Sequence, residues 1–67
     1  MLTRKRRIAL RMVELGAVRY MSNGQYSEIG RWVKIPQRQY RWLQRKRLIS
    51  IYSGSVQVTT LGRAYLS

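Results

Sequence analysis

At Leu48 the hydrophobic pattern of this chain changes period. Up to Arg47 its apolar residues recur at helical spacing. From there Leu48-Ile49-Ser50-Ile51-Tyr52 and Val56-Gln57-Val58-Thr59 are β-branched, partly alternating runs separated by Ser53-Gly54-Ser55, which is a hairpin signal. An isolated two-stranded hairpin is marginal in water and must lean on helices. A chain of 67 residues holds one small domain with a marginal core, so 1–67 is read as a single unit. The fold class expected is therefore α+β, mainly α, with a two-stranded hairpin following the helices.

The first helix is predicted over about 3–20, with Thr3 as N-cap. Ile8, Met12, Leu15 and Arg19 mark one stripe, with Ala9 and Val13 beside it. This stripe serves as core and also offers a face to a second copy. Ser22-Asn23-Gly24 reads as a break. A second helix is predicted over about 27–34, capped by Ser27, with Glu28 in its first turn and Ile29, Trp32 and Val33 as its apolar face. Gly30 inside it suggests close packing by another helix, since an interior glycine otherwise costs about 1 kcal/mol. Ile35 precedes Pro36 and is biased away from helix, whereas Pro36 suits the first position of a third helix, predicted over about 36–47. On a helical projection Tyr40 and Leu43 share the core side, and Arg38, Arg41, Trp42 and Arg45 lie opposite. The hairpin spans about 48–60, and Thr60 caps a short last helical turn from Leu61 to Leu66.

Fourteen Lys and Arg stand against two acids, a formal net charge of +12. That imbalance repels itself and attracts polyanions. Catalysis and metal binding have little to work with. There is no His and no Cys, and the two carboxylates, Glu14 and Glu28, lie in different segments. Glu14 is expected to pair with Arg11 three residues earlier. Neither an enzyme nor a cofactor is expected. The start resembles a signal peptide in Arg4-Lys5-Arg6-Arg7 followed by Ile8 to Val18, but Arg11 and Glu14 interrupt it and no cleavage site follows, so it reads as a mature N-terminus. No apolar run approaches the roughly 18 residues of a membrane span. Lack of Cys fits a cytoplasmic location, on the nucleoid or in a host-cell cytoplasm.

The segment Ser27 to Ile49, SEIGRWVKIPQRQYRWLQRKRLI, resembles the helix-turn-helix of the winged helix-turn-helix proteins. Gly30 matches the small residue where the first helix of that pair packs on the second. Val33 and Ile35 match the apolar residues flanking the turn, and Tyr40 and Leu43 match buried positions of the recognition helix. Leu48-Ile49 looks like the opening of the wing in MarR-type repressors, and Val58-Thr59-Thr60-Leu61-Gly62-Arg63 looks like its closing segment. Three departures stand out: Lys34 occupies a turn position usually held by glycine, the third helix has the shorter length of the MerR-type and excisionase pattern, and the wing tip carries no Arg or Lys.

The resemblance implies a three-helix winged helix-turn-helix that reads double-stranded DNA with its third helix in the major groove. Gln37, Arg38, Gln39 and Arg41 are the expected base readers, because arginine pairs bidentately with guanine and glutamine can read adenine. Arg4, Lys5, Arg6, Arg7, Lys34, Trp42, Arg45, Lys46 and Arg47 are the expected phosphate contacts, with half-burial against the wing as the alternative for Trp42. Ser53, Gly54 and Ser55 form the wing tip. The function expected is that of a small transcriptional regulator, a repressor, acting as a homodimer through the first helix. An RNA-binding or ribosomal component and a sequence-neutral architectural DNA protein remain as alternatives.

Overall fold

Thr3 opens α1 (Arg4–Glu14): its hydroxyl accepts the Arg6 N–H at 3.3 Å in a computed structural model of the chain, which describes residues 2–30 and 33–66. Ala9, Leu10, Met12 and Val13 are the buried face of α1. The predicted stripe is thus rotated: Met12 is buried and Ile8 half-buried, but Leu15 is 59 % exposed and Arg19 is not in the helix. Met12, one of the residues of the face expected to meet a second copy, is taken up by the core.

α1 ends well short of residue 20. The Gly16 N–H bonds the Val13 carbonyl and the Ala17 N–H bonds the Met12 carbonyl, both at 3.0 Å, while Gly16 takes φ 77°. This closure satisfies orphan carbonyls and turns the chain out of the helix. Val18–Tyr20 then forms β1, and Tyr26–Glu28 forms β2, paired antiparallel with Val18 opposite Glu28 and Tyr20 opposite Tyr26. Ser22-Asn23-Gly24 does break the chain, as a hairpin turn between strands. The Asn23 side chain accepts the Gln25 N–H at 3.0 Å, and Gly24 takes φ 82°.

The helix predicted over 27–34 is therefore corrected. Ser27 and Glu28 are strand residues, Gly30 has φ 89° and residues 33–36 are non-helical. Trp32, assigned to its apolar face, lies outside the described residues, as does Arg31. Ile29 and Val33, the other apolar residues of that supposed face, are exposed. Ser27 caps no helix because it lies within β2, and the Glu28 carboxylate, expected in a first helical turn, instead accepts the Ile35 N–H at 2.9 Å and the Tyr40 hydroxyl.

Pro36 precedes α2 (Gln37–Arg45), which buries Tyr40 and Leu43 as expected. β3 (Ile49–Tyr52) and β4 (Ser55–Val58) form the predicted hairpin, with Tyr52 opposite Ser55 and a two-residue turn, Ser53-Gly54, at φ 50° and 81°. Positive φ at both turn positions matches the twist of the flanking strands. This hairpin is half of a larger sheet. Arg19 pairs with Ser55, giving a four-stranded antiparallel order β2-β1-β4-β3 in place of the expected two strands.

α3 (Thr60–Leu66) closes the chain. Gly62 lets it do so. A Cβ there would stand 2.2 Å from the Leu48 carbonyl oxygen, so only glycine allows α3 to rest on the backbone just before β3. The architecture of the described residues is α+β: three helices and a four-stranded antiparallel sheet around a core in which Leu10, Tyr40, Leu43 and Leu48 are fully buried.

Candidate nucleic-acid interface

Along α2 the sequence QRQYRWLQR divides by side. Tyr40 and Leu43 enter the core. Gln37 turns to β2, where its amide accepts the Tyr26 N–H at 2.6 Å and donates to the Tyr26 carbonyl at 2.7 Å. That amide acts as one more strand residue on the outer edge of the sheet, satisfying backbone groups that would otherwise be open. About two helical turns further along α2, Gln44 accepts the Tyr26 hydroxyl at 2.8 Å. Tyr20, Tyr26 and Tyr40 form a ladder of rings, with centroids 4.9 and 5.2 Å apart along it.

These contacts set the phenol chemistry. Burial, helped by the hydroxyl's bond to the Glu28 carboxylate, pushes the Tyr40 pKa above its ordinary 10.0. Burial, and then the neighbouring Tyr20, raises that of Tyr26, while Arg41 opposes the shift. Both phenols are therefore neutral hydrogen-bond donors at physiological pH.

On the side toward α1, Gln39 accepts the Arg6 Nε–H at 3.0 Å, and the Arg6 guanidinium carbon lies 3.9 Å from the centre of the Trp42 ring. The Lys46 ammonium is 5.9 Å from the same ring. Trp42 is half-buried, with Arg6 against it in place of a phosphate. Arg7 donates to the Tyr65 carbonyl at 3.0 Å and so ties α1 to α3.

Arg38, Arg41 and Arg45 remain. They lie on one stripe of α2, all exposed, and among the described residues none has a hydrogen-bond or ion-pair partner. Lys46 and Arg47 extend this exposed charge beyond the C-terminus of α2, Lys34 is exposed ahead of its N-terminus, and Arg4 and Lys5 lie exposed at the start of α1. Because Arg6 packs on α2, the N-terminus of α1 sits beside the stripe. The two carboxylates are engaged elsewhere: Glu14 pairs with Arg11 at 2.8 Å, as the sequence implied, and Glu28 holds Tyr40 and Ile35.

Of the expected base readers, then, Arg38 and Arg41 are exposed without a hydrogen-bond or ion-pair partner among the described residues, and Gln37 and Gln39 are engaged within the fold. Of the expected phosphate contacts, it turns Arg6 and Trp42 toward each other and anchors Arg7. The hairpin tip is also docked: the Gly54 carbonyl accepts the Tyr20 N–H at 2.9 Å, leaving Ser53 and Ser55 exposed at its sides. Two exposed residues at this end of the sheet fall outside the expected interface: Arg19, on β1 and not on the first-helix stripe to which its spacing assigns it, and Tyr52, 77 % exposed, on β3. The Asn23-Gly24 pair between Tyr20 and Tyr26 was the signal for the first, since it marks a hairpin and hence an outward position for Arg19.

Comparison with protein families, curated proteins and solved structures returned no match. Among the described residues no helix is long and apolar enough to cross a membrane.

Proposed function

We propose that this chain binds double-stranded DNA through the outward stripe of α2, as a small regulator that acts by occupying its site. The observation that carries the reading is the stripe itself: Arg38, Arg41 and Arg45 in register on an exposed helix, uncompensated in a chain of net charge +12. Three cations held side by side repel one another, and a phosphodiester backbone relieves that repulsion. An α-helix fits the major groove, and arginines early on such a helix reach guanine edges. Arg38 and Arg41 take that role, and Arg45 and Lys46 take phosphates. The order α2, β3–β4 hairpin, α3 resembles the recognition helix and wing of the winged helix-turn-helix proteins, with β2 standing where those proteins have the preceding helix.

The engagement of Gln37 and Gln39 within the fold favours a second reading, binding without sequence preference, because it halves the set of base readers. One experiment separates the two: selection of binding sites from random duplex DNA with single-stranded RNA as competitor, followed by a salt titration of the recovered site. Sequence-specific binding should yield a recovered consensus and a steep fall of affinity with salt, about 0.9 logarithmic units per phosphate neutralised for each tenfold rise in salt. A flat salt dependence would remove nucleic acid from the leading place. Steep dependence without a consensus would establish the second reading.

A further inference from the structure

Two helices of this chain end in the same hydrogen-bonded closure. At the end of α1, the Gly16 N–H bonds Val13 O and the Ala17 N–H bonds Met12 O, both at 3.0 Å. At the end of α2, the Arg47 N–H bonds Gln44 O and the Leu48 N–H bonds Leu43 O, both at 2.9 Å. The closure requires a left-handed residue at one position, and Gly16 at φ 77° and Arg47 at φ 61° supply it. Glycine is the default there, because any Cβ crowds the following carbonyl. α1 has the default residue and α2 does not.

Space does not explain the difference. A Cβ built on Gly16 meets nothing within 4 Å, so that site would also accept a side chain at the cost of backbone strain alone. Nor can the α2 corner relax. The Arg47 carbonyl accepts the Thr59 hydroxyl at 2.7 Å, the same hydroxyl oxygen accepts the Gly62 N–H at 3.0 Å, and the Leu48 carbonyl accepts the Thr59 N–H at 3.0 Å. The strained conformation is held from both sides, the circumstance in which such strain persists at functional positions. The side chain it carries is exposed, without a hydrogen-bond or ion-pair partner among the described residues, and next to exposed Arg45 and Lys46.

We infer that Arg47 is a binding residue of the DNA interface, its guanidinium set on a backbone phosphate by a rigid corner, and that the strain is the consequence of requiring a cation where the fold prefers glycine. The inference rests on the DNA reading above. A planar guanidinium matches phosphate oxygens bidentately, and a fixed backbone lessens the ordering needed on binding.

Four chains test it: the wild type, Arg47→Gly, Arg47→Ala and Gly16→Ala, each followed by thermal unfolding and by titration of a mixed-sequence DNA duplex over a range of salt. Arg47→Gly should raise Tm by about 4 °C while lowering duplex affinity about five- to tenfold, with a salt slope shallower by about 0.9. Arg47→Ala should lose the same affinity without the gain in Tm. Gly16→Ala should lower Tm by about as much as glycine exceeds alanine at position 47, with affinity unchanged. Wild-type affinity in Arg47→Gly, or no difference in Tm between glycine and alanine at position 47, would overturn the inference. A wild-type chain that binds no duplex would overturn the DNA reading first, and this inference with it.

Discussion

On the side of α2 that meets β2, Gln37, Tyr40 and Gln44 each hold a partner: the Tyr26 backbone, the Glu28 carboxylate and the Tyr26 hydroxyl. On the side that meets solvent, Arg38, Arg41 and Arg45 are exposed and hold none among the described residues. Both sides are polar, so polarity alone does not separate frame from interface. What separates them is whether the hydrogen-bonding capacity of a side chain is already used. Neutral amides and phenols join two elements at little desolvation cost, whereas a guanidinium inside the frame would need a carboxylate, and this chain has two, both engaged with other partners. The arginines face outward because the sequence provides nothing inside to meet them.

This contrast is most easily broken at Gln37. Gln37→Ala removes the amide that closes the outer edge of β2 and leaves the Tyr26 N–H and carbonyl without it. Stability should fall by about 1–3 kcal/mol in urea denaturation. The order of preference among duplex sequences should not change. A variant of unaltered stability that lost preference at one base position would return Gln37 to the reading surface.

A smaller effect sharpens the same contrast through pH. Burial raises Tyr40 and Tyr26 above 10.0, so the folded chain keeps their protons where the unfolded chain releases them. For a raised pKa the associated stability is complete below the unfolded value and is lost as pH rises beyond it. Far-ultraviolet circular dichroism in urea should therefore show a constant midpoint below about pH 10 and a falling one above it. Tyr40→Phe should lessen that fall. An equally steep decline in Tyr40→Phe would show that the buried phenol is not its source.

The parts of this fold that were legible in the sequence are local ones. Ser53-Gly54 between alternating runs specifies its own hairpin, Thr3 its own cap, and the spacing of Tyr40 and Leu43 the inward side of α2, and with it the outward placement of Arg38 and Arg41. The parts that were not legible depend on distant partners. β1 and β2 have three residues each, too few for a period of two to stand out, and Arg19 continues the helical spacing of Ile8, Met12 and Leu15 closely enough to pass as one more turn. Gly16 was the stop signal, recognisable only once the Ala17 and Gly16 bonds back to α1 are seen. Glu28 looked like a first-turn anion because its true partners, Ile35 and Tyr40, lie in segments that the sequence does not place beside it. Gln37 and Gln39 looked free for the same reason. Gly62, an interior glycine and so a poor helix former by propensity, is the residue that lets the last helix rest on Leu48.

If the free side of α2 reads DNA while its engaged side builds the fold, substitutions on the two sides have separable effects. The most direct measurement is a parallel titration of Arg38→Ala and Arg41→Ala against the preferred duplex and a scrambled one, with thermal unfolding of the same samples. Neither arginine supports the frame, so stability should stay within about 0.5 kcal/mol of wild type. Each variant should lose about 1–3 kcal/mol on the preferred duplex, with relaxed preference at one base position, and much less on the scrambled one. Equal losses on both duplexes, or no loss on either, would contradict the account.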